Sequence, residues 1–211
     1  LWSTDPVFLA LKATIEVYGI QRAYFDDLIS GMEDDLYTNR YSNFDDLYLY
    51  CYRVASVVGM ICIEIYGYDN PKAREYAESW GIFMQLTNVL RDIGEDIERD
   101  RVYLPGDELE AMGVKIQMLN GEVRRHQDWE GYVLEYANRA RNYLKNAKLL
   151  LPLLPKRTRY SPAAMMAFYE AILKEIVRRQ GDVFSSRVSL NKIQKIWLAA
   201  SVYLRHRFMP W

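Results

Sequence analysis

Trp80 to Pro105 reads W-G-I-F-M-Q-L-T-N-V-L-R-D-I-G-E-D-I-E-R-D-R-V-Y-L-P, and the reading of this stretch decides the fold. To about Arg99 it carries helical period. At about 100° per residue, Ile82, Leu86, Val89, Leu90, Ile93 and Ile97 gather on one side of the wheel. Opposite them run Gly81, Gln85, Asn88, Asp92 and Asp96, mostly three or four residues apart and therefore stacked along one face.

A polar stripe is most often a solvated face, and that plain reading stands beside the chemical one. Solvated faces usually mix long Lys and Glu, whereas this stripe offers two amides and two short carboxylates in register. Asp is a poor helix former, so two of them in mid-helix are costly without a role. Oxygen ligands of this kind suit Mg²⁺, which takes one or two carboxylates, keeps waters and is completed by substrate phosphates. Arg91, Arg99 and Arg101 lie near enough to grip the same phosphates through planar, bidentate hydrogen bonds.

The rest of the chain reads as helices throughout, an all-α single domain with no strand pair. Thr4-Asp5-Pro6 starts a helix that Gly19 closes, and a second runs from Gln21. Asp34 and Asp35 point about 100° apart on a helix and read as a solvated pair. Asn43-Phe44-Asp45-Asp46 caps a long helix to about Tyr66, with Tyr50, Val54, Val57 and Ile61 on one face. Ala55, Ser56 and Gly59 would let a neighbouring helix approach closely. The Asp-rich helix begins near Ala73. A short helix from Asp107 ends near Gly113, a loop passes Gly121, and a long helix runs from Gln127 to Pro152. Pro155 to Ser161 reads as a basic link, Pro162 as opening the next helix, and Ser189 as capping the last.

Composition sets bounds on partners. The 211 residues are enough for one domain with a sizeable core, and 17 of them are Tyr, which supplies apolar bulk with a polar tip. A net charge of −1 argues against nucleic acid as a partner. Cys51 and Cys62, with no C-x-x-C spacing, read as reduced core residues of a cytoplasmic chain. No apolar run reaches the roughly 18 residues of a membrane span. His126 and His206 lack a ligand partner at i±4 and read as surface or structural. Lys192, Lys195, Arg205, Arg207 and Trp211 make a basic, aromatic tail. It reads as a solvated face or as a weak, peripheral membrane-surface contact.

The opening stretch resembles the second aspartate-rich signature of the squalene/phytoene synthase family, G-x(3)-Q-x(2)-N-x(2)-R-D-x(3)-D followed by R-x-Y-x-P. It is carried by Gly81, Gln85, Asn88, Arg91, Asp92, Asp96, Arg101, Tyr103 and Pro105; Val89 is a packing change on the apolar side. Tyr50 to Gly59 is similar to the family's other signature, Y-C-x(2)-V-A-[GS]-x-V-G.

The resemblance implies a helical isoprenoid synthase bundle around a central hydrophobic cavity. It implies head-to-head (1′–1) condensation of two prenyl diphosphates through a cyclopropylcarbinyl diphosphate. By the same resemblance, Asn88, Asp92 and Asp96 hold Mg²⁺ (or Mn²⁺), Arg91 and Arg101 hold diphosphate, and Gln85 and Tyr103 sit at the rim. Tyr50 lines the cavity as a proton-handling or cation-stabilising residue, Tyr169 of a late helix faces it, and NADPH enters only if the product is reduced to squalene.

The wording Y-C-Y-R-V-A-S-V-V-G leans toward bacterial presqualene diphosphate or squalene synthases of hopanoid pathways, with phytoene synthesis as the alternative. The family's first motif, D-x(3)-D on an early helix, is absent from these residues. The expectation is therefore a partial domain lacking its first helices, inactive as this segment alone. Two other classes remain open at this point: a non-catalytic helical protein that binds no diphosphate, and a head-to-tail elongase or cyclase, for which D-D-x-x-D is missing.

Overall fold

The computed structural model describes residues 4–119, 122–124 and 128–208, with the backbone alone at 117–119, 122–124 and 206. Gly121, His126, Gln127 and Trp211, and the side chain of His206, lie outside the described residues. Helix α1 spans Pro6–Tyr18; the Asp5 carboxylate accepts from Val7 N, and Gly19 ends the helix at φ 64°. Helix α2 spans Arg22–Tyr37. Helix α3, Phe44–Cys51, is capped by the Asn43 side chain on Asp46 N. A π-turn at Tyr52–Ser56 leads directly into α4, Val57–Tyr66.

Helix α5, Ala73–Glu98, is the axis of the bundle. Ser79 to Phe83 are buried without a break, and the helix packs against α7, α4, the π-turn, α8 and α3. Helix α6 spans Gly106–Ala111, α7 Trp129–Lys148, α8 Lys156–Arg178 and α9 Lys192–Phe208.

Two close approaches fix α5 and α2 on the π-turn. A methyl group built at Gly81 would stand 2.4 Å from Ser56 Cα and 2.5 Å from Ser56 N, and one at Gly31 would stand 2.7 Å from Arg53 Cβ. Ser56 Oγ, buried at this crossing, donates to the Glu78 carbonyl at 2.9 Å.

Four expectations need correcting. Ser189 does not cap the last helix: α9 begins at Lys192, and Asn191 Oδ1 accepts from Gln194 N at 2.9 Å. Pro162 does not open a helix: α8 begins at Lys156 and Pro162 is buried inside it. The turns ahead of the proline are held by Arg159, which donates to the carbonyls of Leu154 at 2.5 Å and Pro152 at 2.9 Å. The segment after α6 contains a two-stranded antiparallel pair, β1 (Gln117–Leu119) with β2 (Glu122–Arg124). The intervening Asn120-Gly121 is a strong hairpin signal, which a search for helical period passes over. Phe44–Tyr66, 23 residues with a mean hydropathy of 1.4, is long and apolar enough to cross a membrane. Only part of that stretch is buried, Ser56 at the crossing with α5 included.

Candidate functional site

The stripe on α5 is not a solvated face. Gln85, Asn88, Asp92 and Asp96 are all half-buried. Gln85 and Asn88 form one end of a cavity of about 230 Å³. Its walls are Val54, Ala55, Val58, Gly59, Cys62 and Tyr66 from the π-turn and α4, and Trp80, Gly81 and Met84 from α5; Met165 of α8 completes them. Asn88 Nδ2 donates to Gln85 Oε1 at 3.3 Å, while Asn88 Oδ1 is buried with no hydrogen-bond partner. The groove is therefore apolar along its length and polar at the end where α5 runs on toward its two aspartates.

Asp92 is held by two arginines. Arg91 clasps it through Nε at 2.8 Å and Nη2 at 2.5 Å, and Arg187 Nε donates to its Oδ1 at 3.0 Å. Arg187 also lies 3.4 Å from Glu95. It sits between α8 and α9, 95 residues from Asp92, and no spacing rule pointed to it. The hydrogen bonds to Asp92, with a smaller contribution from Tyr169 of α8 beside it, raise the Arg91 guanidinium above its ordinary value. Asp96 is pushed up to about 6, chiefly by burial and then by the charge of Asp92; Arg99 and Arg101 pull the other way. A carboxyl reluctant to ionise beside a second carboxylate is a site that a cation would stabilise.

The remaining expected residues gather elsewhere. Tyr50 and Tyr103 are 5% and 8% exposed, and neither is among the groove-lining residues. Both hydroxyls donate to a single oxygen, Asp35 Oδ1, at 3.0 and 2.9 Å. Their rings stack at 5.1 Å and Tyr41 packs on both. Burial is the main cause that raises each phenol above its usual range. Arg101 Nη2 donates to the Asp35 carbonyl at 2.7 Å. Asp34 pairs with Arg53 at 2.9 Å. The reading of Asp34 and Asp35 as a solvated pair is thereby corrected: Asp35 joins the two signatures. Its sequence position gave no sign of this, because its partners lie 15 and 68 residues away.

The chain also has counterparts among known proteins. The family description "Squalene/phytoene synthase" matches residues 2–194. Phytoene synthase 3, chloroplastic, of Zea mays is 35% identical over 98% of the chain, and phytoene synthase 1, chloroplastic, of Arabidopsis thaliana is 38% identical over 91%. The chain spans about half the length of these relatives, 50% and 47%. Among solved structures, a dehydrosqualene synthase in complex with ligand superposes with a TM-score of 0.87 at 27% identity, covering 96% of the chain and 72% of that protein. A squalene synthase of Alicyclobacillus acidocaldarius gives 0.75 at 26% identity, covering 85% and 67%.

Proposed function

Because the chain belongs to the squalene/phytoene synthase family, we propose that the whole protein joins two prenyl diphosphates head to head (1′–1) with loss of diphosphate. The first reading is two farnesyl diphosphates giving presqualene diphosphate, or squalene where NADPH supplies a hydride. The second is two geranylgeranyl diphosphates giving phytoene, favoured by the relatives of 35% and 38% identity that carry that name. The observation that carries the proposal is the half-buried Gln85–Asn88–Asp92–Asp96 stripe, apolar groove at one end and carboxylates at the other.

The donor set fits a partly hydrated Mg²⁺. Among the described residues no three His, Cys, Asp or Glu form a closed metal cage. Two carboxylates and an amide are what this ion takes from a protein when substrate phosphates complete its shell. Asn88 Oδ1 is buried without a partner, and burial and Asp92 raise the Asp96 carboxyl despite Arg99 and Arg101; a cation between them would offset both. Asn88, Asp92 and Asp96 would hold it, and when bound it would neutralise the departing diphosphate.

The protein's own groups do the rest. Arg91 and Arg187 offer planar donors to phosphate oxygens once they exchange Asp92 for substrate, and Arg101, whose charge already acts on Asp96, is the third. Gln85 meets the substrate where head passes to tail, and Tyr169 orients Arg91. The apolar walls shield an allylic cation from water. Tyr50 and Tyr103 act through Asp35, seating the end of α5, rather than by touching the reacting atoms. The protein works in the cytoplasm or peripherally at a membrane. The membrane contact would be through α9, where exposed Ile193, Ile196, Trp197 and Phe208 lie among Lys192, Lys195 and Arg207.

The test is incubation of the full-length protein with farnesyl and then geranylgeranyl diphosphate and Mg²⁺, with and without NADPH, with products read by mass spectrometry. A head-to-head product that disappears in Asp92→Ala is expected, and its carbon count separates the two readings. Folded protein that condenses neither substrate would refute the proposal.

A further inference from the structure

The α4 wall of the groove has an order that composition alone does not show. Val54 of the π-turn and Val58, Cys62 and Tyr66 of α4 all line it, and the last three, spaced by four, follow one another along one side of the helix. Three small or medium side chains are followed by one large one. Tyr66 is the last residue of α4, and Gly67 turns the chain away at φ 77°. The Tyr66 carbonyl accepts from Thr158 Oγ1 at 3.4 Å, which ties the end of the helix to the start of α8. The polar end of the groove, Gln85 and Asn88, belongs to the signature helix, and Tyr66 belongs to neither signature.

An anionic head drawn toward Asn88 and Asp92 sends its tail along this ladder. Four residues of α-helix, the step from one rung to the next, advance ~6 Å. Four carbon–carbon bonds of ~1.5 Å in zigzag, the chain length of one isoprene unit, advance ~5 Å. Successive rungs therefore meet successive isoprene units.

We propose that Tyr66 is the residue that sets prenyl chain length, ending the tail subsite that Val54, Val58 and Cys62 line. This rests on the diphosphate-binding reading of the stripe. Shortening Tyr66 adds a rung to the subsite, and enlarging Val58 removes those beyond it. Val58 is 40% exposed, so a larger side chain there fills the groove without overpacking the core. Tyr66 packs partly against the core, and Val58→Phe keeps the test decisive if Tyr66→Ala does not fold.

The experiment measures binding of geranyl, farnesyl and geranylgeranyl thiolodiphosphates, and of inorganic diphosphate, to the full-length protein with Mg²⁺ by calorimetry. Folding of each variant is verified by circular dichroism. Tyr66→Ala is expected to move the ratio of geranylgeranyl to farnesyl affinity at least tenfold toward the longer chain. Val58→Phe is expected to move the preference at least tenfold toward geranyl. An unchanged chain-length order in the folded variants, with wild type binding inorganic diphosphate, would overturn the role of Tyr66 and leave the proposed function standing. Wild type that binds neither inorganic diphosphate nor any of the three analogues would overturn both.

Discussion

Asp96 shows at the scale of one residue what the site costs the fold. Its carboxyl titrates near 6 in the folded protein against an ordinary 3.8, with burial as the first cause and Asp92 as the second. Below pH 3.8 it is protonated in both the folded and unfolded chains and costs nothing. Between 3.8 and 6 the folded chain keeps a proton that the unfolded chain has released, so stability falls as pH rises; above 6 the full cost is present. Asn cannot ionise. Asp96→Asn is expected to melt several degrees above wild type at pH 8, with the gap narrowing as pH falls through 6 toward 4. Calorimetric scans across that range check it, and a gap constant with pH would assign the effect to something other than the charge. The variant would be more stable and, by the proposed function, unable to hold the cation, which is the usual trade between stability and activity at a site.

At the scale of elements, the central event is α5 lying directly on the π-turn. Such turns interrupt helices and often stand at functional sites. Here the turn brings Val54 and Ala55 to the groove while Ser56 faces α5. The atoms that a Gly81 side chain would meet are backbone atoms of Ala55 and Ser56, which cannot rotate aside. Gly81→Ala is therefore expected to cost about 1–3 kcal/mol, the range for overpacking a tight contact. Urea unfolding measures this, and a loss below about 0.5 kcal/mol would mean that the helices separate easily. The same crossing accounts for a glycine at the head of the polar stripe: it is there for approach, and the chemistry starts one turn later at Gln85.

At the scale of the whole molecule, two distant loops are fastened to each other beneath the site. The connection after α2 and the segment after α5 share a short ladder: Val102 N donates to Asn39 O at 2.9 Å, Gly106 N to Tyr41 O at 2.9 Å and Asp107 N to Ser42 O at 3.0 Å. Arg40 reaches Asp100 at 2.6 Å. Asp35 completes the clamp by accepting Tyr50 and Tyr103 and by offering its carbonyl to Arg101. Asp35→Leu leaves two buried phenols unpartnered, each costing about 1–3 kcal/mol. It is expected to lower stability by about 2–4 kcal/mol and to speed hydrogen exchange at the Val102 and Gly106 amides. Unchanged exchange there would show that the ladder holds without the clamp.

Much of this was legible in one dimension. Helical period fixed the all-α class, because an apolar face repeats every three or four residues whatever it packs against. The caps at Asp5 and Asn43 and the stop at Gly19 were readable because they act within a turn of themselves. The stripe Gln85–Asn88–Asp92–Asp96 was visible because a helix converts spacing directly into a shared face. What sequence could not supply were relations between elements. Arg187 reaches Asp92 only once α8 has folded back along α5; Asp35 becomes a hub only when α2, α3 and the end of α5 converge; Tyr66 closes a groove only because α4 lies against α5. Local periodicity is a property of one helix, whereas each of these contacts is set by how separate helices cross, and the crossing is decided by packing across the whole core.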